Sequence, residues 1–419
     1  MENNNNNSHF CTEDIKFSII IPVYNVASFL RQGMDSIINQ TYRNLDIICV
    51  DDGSSDDSYE ILKEYASTDQ RINLIHQENK GTVIARQIGV AAATGDWCLF
   101  FDPDDWLELE TCQLIHDYIK TAENKADVIQ YCFFVENCPS DTIKNNTCTM
   151  LNGIVPEING SDTLLEECFI NRSVAWNLIG KCYNISIAKK AFAAQEALEF
   201  SYTTDVYASF FLMCYSNRYQ RLSDKELYHY RWGTGISTKS GLSLDAFSKA
   251  LNLWSGYTSI KNFSNSQFPN SKTKNTTIPL EIESILMDAT LNFALERMGK
   301  DVPVRLWAEL IEQKTGKDVL QHLCNWCHTQ SAAQKHLTNT LNYYLSYYKQ
   351  AETLLENLRQ TTNKQEQTIN KQEQTINIQE QTIKTLASKK KKYKILFNVC
   401  WIILFIILVI YFLYTTTNH

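Results

Sequence analysis

Positive charge is in short supply: 39 Lys and Arg face 47 Asp and Glu, for a net charge of −8. With no global basic surface, the composition argues against a nucleic-acid partner. A Gly-rich phosphate loop with the usual lysine is also missing, which argues against nucleotidyl transfer. No secretory signal precedes the 13 cysteines. They are scattered and odd in number, so reduced, mostly buried thiols of a cytosolic body are expected. Their one tight cluster is Cys324, Cys327 and His328, with His322 beside it. The C-x-x-C-H spacing matches haem attachment, but that chemistry belongs to exported chains. The ligand types would suit zinc, and buried cysteines on a helix are the simpler expectation.

What the chain has is bulk and order. At 419 residues and 44% hydrophobic content, it can bury a sizeable core in one large or two medium domains plus appendages. Residues 1–15 begin with Met, Glu and five Asn, a polar lead expected to be disordered. Residues 17–23, FSIIIPV, form a β-branched apolar run suited to a strand covered on both faces. Phe29, Leu30, Met34, Ile37 and Ile38 then recur at helical spacing within 27–39. An apolar strand over 45–50 ends in Asp51, Asp52, Gly53 and Ser54. Strand, helix and strand make a βαβ unit, which feeds a parallel sheet with ligands gathered at the carboxyl ends of its strands. A helix over 57–66, a short strand over 72–76 and a helix over 82–92 carrying Arg86 continue the pattern.

A further strand over 97–101 runs straight into Asp102, Asp104 and Asp105, with Pro103 among them. In extended chain, residues two apart share a side, so Asp102 and Asp104 are expected to aim at one centre, stiffened by Pro103. Like charges crowded at a strand end need neutralising. A hard divalent cation carrying a polyphosphate fits, because Mg²⁺-type ions take one or two carboxylates and fill their shell with water and phosphate oxygens. An acidic turn without a ligand is the plainer alternative for an isolated D-x-D.

Four motifs now stand in register: Ile-Ile-Ile-Pro-Val-Tyr-Asn at 19–25, Val-Asp-Asp-Gly-Ser at 50–54, Asn79-Lys80-Gly81 leading to Ala85-Arg86, and Phe-Asp-Pro-Asp-Asp at 101–105. Together they resemble the family 2 glycosyltransferases of GT-A fold. The resemblance implies an α/β fold over 16–240, with a Rossmann-like, mostly parallel sheet and flanking helices. It continues more loosely toward residue 240. Ala175, Trp176 and Asn177 with Lys181, Cys182 and Tyr183 are similar to the family's Trp-Asn-Lys-Leu-Tyr segment, with Leu178, Ile179 and Gly180 inserted. Residues 200–206 resemble the stretch with an acidic pair ahead of an apolar helix, although Thr204 takes the first acid's place. Residues 227–231 are similar to the Tyr-x-Tyr-Arg strand that closes this domain. Tyr228 stands where processive members carry Gln, which implies that one or a few sugars are added.

The resemblance also implies roles. Asp52 would accept a hydrogen bond from a uracil ring, with Pro22, Tyr24, Asn25 and Asp51 around the nucleotide. Lys80 and Arg86 would lie on the phosphate side. Asp102 would face the ribose or a metal, Asp104 would ligate Mg²⁺ or Mn²⁺, and Asp105 completes the acidic cluster. Asp205 would be the base that takes the acceptor proton, giving inversion. A helix N-cap before 206–213 is the competing role for Asp205.

The rest of the chain reads as appendages. Residues 245–340 are expected to be helical, with Trp254, Ile285, Met287, Leu291, Leu295, Trp307 and Leu310 as core. Over 341–388 the period becomes seven, with Ile369, Ile376 and Ile383 at one seam position and Gln365, Gln372 and Gln379 at the other. A self-associating coiled-coil stalk is expected, a lone solvated helix being the alternative. Lys389, Lys390, Lys391, Lys392 and Lys394 lead into the apolar run 395–414. A run of about 20 apolar residues spans a bilayer, and the lysines should stay cytoplasmic. The expectation is a single-pass protein of the bacterial inner membrane, its catalytic body in the cytoplasm. It would move sugar from a nucleotide-sugar, a UDP-sugar by the resemblance, to a lipid-linked or glycan acceptor in surface polysaccharide synthesis. The alternative is a tethered scaffold that binds nucleotide-sugar without turnover.

Overall fold

β1 (Phe17–Val23) is buried along its whole length apart from Pro22, which is what a β-branched apolar run requires of its surroundings. The computed structural model describes residues 14–121, 126–200, 202–234 and 243–292. The cluster at 322–328, the heptads of 341–388 and the apolar run 395–414 lie outside the described residues. So do Leu295, Trp307, Leu310 and the side chain of Leu291.

From β1 the chain passes through α1 (Ala27–Ile38), β2 (Leu45–Asp51), α2 (Ser58–Thr68), β3 (Ile72–His76), α3 (Thr82–Ala92) and β4 (Trp97–Phe100). These four strands are parallel in the spatial order β3-β2-β1-β4, with Ile20 level with Ile48 on one side and Phe100 on the other. Their carboxyl ends therefore converge on one edge, where Tyr24, Asp51, His76 and Asp102 follow or finish the strands.

The second half is built differently. β5 (Trp106–Leu107), α4 (Thr111–Lys120), β6 (Val128–Glu136), α5 (Asp141–Asn152), β7 (Glu157–Asn159) and α6 (Ser161–Phe169) lead to β8 (Lys181–Asn184). β8 enters between β4 and β6 from the opposite end and is antiparallel to both. After α7 (Ile185–Ala193) and α8 (Thr204–Tyr215), the long β9 (Arg218–Arg231) runs parallel to β6 and antiparallel to β5 and β7. The sheet is thus mixed, not mostly parallel. The βαβ rhythm that enforces parallel pairing stops at β4, and later strands return by excursions that set their direction freely.

α8 is buried on nearly every side, because α6, α7 and α10 (Leu253–Gln267) all pack against it. A helix apolar all round belongs in such a setting. α9 (Leu244–Ala250) precedes α10, and a π-helical turn, Thr273–Thr277, leads into α11 (Ile278–Asn292). Trp254, Ile285 and Met287 are buried there.

Candidate active site

β4 ends one residue before Phe101, whose N–H still donates to the carbonyl of Ile20 at 3.0 Å. The acidic stretch that follows is a turn, not extended chain: the N–H of Asp105 donates to the carbonyl of Asp102 at 3.1 Å. Strand alternation therefore does not relate Asp102 to Asp104. Pro103 is the cause, since it occupies the second turn position, where its fixed φ is favoured. The turn lies against α1 so closely that a Cβ on Gly33 would meet the carbonyl oxygen of Pro103 at 2.9 Å.

β9 grips this turn from the other side. The Tyr228 hydroxyl donates to Asp105 Oδ2 at 2.9 Å and accepts from the Asp102 N–H at 3.2 Å. The Arg231 N–H donates to Asp105 Oδ1 at 2.7 Å, and Arg231 Nε donates to the carbonyl of Asp104 at 2.8 Å. The guanidinium packs on the rings of Phe29 and Trp106 and donates to Gln32 Oε1. Trp106 also stacks on His229, which lies between Glu108 and Glu136. Asp105 is thus an inward anchor, and burial pushes its carboxyl far above the usual range, with Asp104 and Asp102 adding to the rise. Asp104 Oδ2 accepts from the Thr234 hydroxyl at 2.6 Å.

Asp102 faces the centre of the site, and there it meets Arg86. This buried guanidinium donates to Asp102 Oδ1 at 3.3 Å, to Asp205 Oδ1 at 2.7 Å and to the Thr204 hydroxyl at 3.0 Å. Burial disfavours the charge, yet the Asp205 and Asp102 carboxylates hold Arg86 above its ordinary pKa. Burial pushes Asp102 up to about 7, against the pull of Arg86 and with Asp205 and Asp104 adding to the rise. Asp205 sits in the first turn of α8, and the cap position belongs to Thr203, which has no side-chain capping bond. The N-cap role considered for Asp205 is therefore not the one it plays. Its carboxylate is held by Arg86 and by the N–H of Leu178, 3.3 Å from Oδ2.

The tips of β1, β2 and β3 lie along the same edge of the sheet. Asp52 is buried and accepts from Gln77 Nε2 and from the N–H groups of Lys80 and Gly81 at 2.6–2.8 Å. Asp51 is fully buried; His76 Nδ1 lies 2.7 Å from its Oδ2, and its Oδ1 has no partner. Asn25 adopts the left-handed conformation that asparagine tolerates, and its Oδ1 accepts from the N–H groups of Ser55 and Asp56. Tyr24 leaves half of its surface open. The Lys80 side chain is exposed.

Residues 18–176 match the family described as Glycosyl transferase family 2. Residues 18–176 are thus similar to a family 2 glycosyltransferase domain. Over 115 residues it is 45% identical to the glycosyltransferase GlyA of Streptococcus pneumoniae, covering 27% of this chain and 16% of that one. Over 112 residues it is 40% identical to the putative glycosyltransferase EpsH of Bacillus subtilis, covering 27% of this chain and 32% of that one. The match thus spans a third or less of these relatives' own length. Among solved structures, S. aureus TarS 1–349 shares the fold, with a TM-score of 0.51 and 19% identity over 74% of this chain and 83% of that one.

The sequence-predicted residues fall into two groups. Pro22, Tyr24, Asn25, Asp51, Asp52 and Lys80 belong to the tips of β1–β3 and the loop before α3. Arg86, Asp102, Asp104 and Asp205 belong to the centre, where Arg86 is committed to carboxylates and a hydroxyl, while the Lys80 side chain is exposed on the loop before α3. Among the described residues, no three His, Cys, Asp or Glu side chains form a closed metal cage. A hard cation needs only one or two carboxylates when phosphate oxygens complete its shell. Asp102 and Asp104 are the carboxylates such an ion could use, and its charge would favour the ionised form of Asp102, which burial first and the Asp205 and Asp104 carboxylates next disfavour. His76, Gln77 and the grip of Tyr228 and Arg231 were not singled out in advance. His76 ends β3 as Asp51 ends β2, so the strand-end rule applied to β3 would have found it.

Proposed function

We propose that the protein is a metal-dependent inverting glycosyltransferase that moves a sugar from a nucleotide-sugar, with UDP-sugars the leading donors, to a glycan acceptor held at a membrane. The carrying observation is that one buried arginine, Arg86, ties the acidic turn to Asp205. Diphosphate-side and acceptor-side groups are thereby set on a single support.

Asp52 and the ring of Tyr24 would receive the base, and Lys80 the phosphates. Asp102 and Asp104 would hold Mg²⁺ or Mn²⁺, which when bound offsets the charge of the departing diphosphate. Asp205 would accept the proton of the acceptor hydroxyl as its oxygen bonds to the anomeric carbon. The bond from that carbon to the diphosphate oxygen breaks in the same displacement, and its electron pair leaves with the nucleotide. No protonated leaving group is needed, unlike in glycoside hydrolysis.

The appendages extend the reading. Residues 395–414 would cross the bacterial inner membrane, with the lysines before them on the cytoplasmic side near anionic headgroups. The heptads of 341–388 would join copies of the chain. A body tethered in this way suits a lipid-linked intermediate of a surface polysaccharide.

UDP release measured across a panel of UDP-sugars, with membrane extract and with or without Mn²⁺, tests the reading. Metal-dependent release with at least one donor is expected; none with any donor overturns it. The tight ion pair between Arg86 and Asp205 favours a second reading, a nucleotide-sugar-binding scaffold without turnover. Donor binding without release would select it.

A further inference from the structure

β8 begins with a lysine in an unusual place. Lys181 is fully buried, and its ammonium donates to the carbonyl and to Oδ1 of Asn177, at 2.6 and 3.2 Å. Burial pulls it down to about 8, while the Cys168 thiol and the Asp205 carboxylate oppose that shift. A buried charge is costly, and an apolar chain of equal volume would fill the space more cheaply. The cost needs a return.

The return lies in residues 177–180. Asn177 Nδ2 donates to the carbonyl of Ile179 at 2.7 Å, and the Tyr183 hydroxyl donates to the carbonyl of Leu178 at 3.3 Å. Gly180 has φ +69°, and a Cβ there would fall 2.1 Å from the Phe133 ring. This short loop is therefore fixed at each residue, and what it presents outward is the Leu178 N–H, aimed at Asp205 Oδ2. Arg86 holds the other oxygen.

We infer that Lys181 is a positioning residue for Asp205: its buried ammonium anchors the loop whose Leu178 amide orients that carboxylate. The inference rests on the reading of Asp205 as the base. The groups facing Asp205 are Arg86 from α3 with Asp102 beyond it, Thr204 on its own helix, and Lys181 and Tyr183 from β8; Cys168 of α6 faces the lysine. Arg86 is untouched by a change at 181, so the two supports are separable.

The test uses full-length protein and two readouts. Transfer kinetics of Lys181→Met should show kcat lowered about tenfold or more by the lost orientation. Donor Kd, measured by calorimetry, should be unchanged. Wild-type kcat in the variant overturns the inference. Absence of transfer by the wild-type protein overturns the proposed function instead, and leaves donor Kd as the check that the variant is folded. If Lys181→Met does not fold, Asn177→Ala frees the same loop while keeping the lysine; kcat should fall with donor Kd unchanged, and wild-type kcat there overturns the inference.

Discussion

The two parts of the site are held by different means. At the tips of β1, β2 and β3 the partners lie within the first βαβ units: Asp52 is held by the backbone of residues 80 and 81, Asn25 by residues 55 and 56. At the centre, around the acidic turn and Asp205, each group has a partner more than a hundred residues away, as Arg86 has in Asp205, Tyr228 in Asp105 and Arg231 in Asp104. The first arrangement is carried by contiguous motifs and strand ends. The second exists only once a mixed sheet has brought β8 and β9 beside β4. A local motif can be exchanged as a unit, whereas a long-range clamp fails when either end is altered.

Substitutions at the centre should break this contrast most sharply. Asp205→Asn should lower transfer by about 10²–10⁴-fold, the scale of a lost general base, with nucleotide-sugar affinity retained by calorimetry. Asp104→Ala should lower metal-dependent UDP release by about 10²–10³-fold, as for loss of one electrostatic partner of a developing charge. Release at the wild-type rate would remove Asp104 from the metal site. Tyr228→Phe deletes one oxygen that serves two buried partners. A loss of about 1–3 kcal/mol in denaturant unfolding is expected.

The pH dependence sharpens the picture further. The Asp102 carboxyl is raised from 3.8 to about 7, so between those values the folded chain binds its proton more tightly than the unfolded chain does. Its stabilising contribution is present below about pH 4 and lost as pH rises through about 7. Metal-free protein should therefore lose stability over that window, and Mn²⁺ should raise Tm more at about pH 8 than at about pH 5.5. The smallest effect is expected at the Arg31–Glu64 pair on the outer face of α1 and α2, whose side chains are 55% and 61% exposed. Arg31→Ala should leave Tm and transfer unchanged.

The same contrast explains what could be read in advance. β1 and α3 begin and end where their residues predict, because a continuous apolar run and a glycine at the helix entry mark their limits locally. The mixed character of the sheet was not visible, since β8 is only four residues long and nothing in Lys-Cys-Tyr-Asn states its direction. The acidic turn departs from the expected extended chain because the strand stops at Phe100 and Pro103 ends the alternation that would relate Asp102 to Asp104. Arg86 was recognised from its motif, but its bond to Asp205 joins residues 119 positions apart, beyond the reach of spacing arguments.

The reach of Arg231 has a practical corollary for recombining such enzymes. Its side chain spans from the acidic turn to Phe29 and Gln32 on the first helix. A chimera that imports a foreign C-terminal segment but keeps the native first helix would pair an incoming arginine with a cradle shaped for another. Crossover designs should transplant positions 29 and 32 along with 231, even though two hundred residues of chain lie between them.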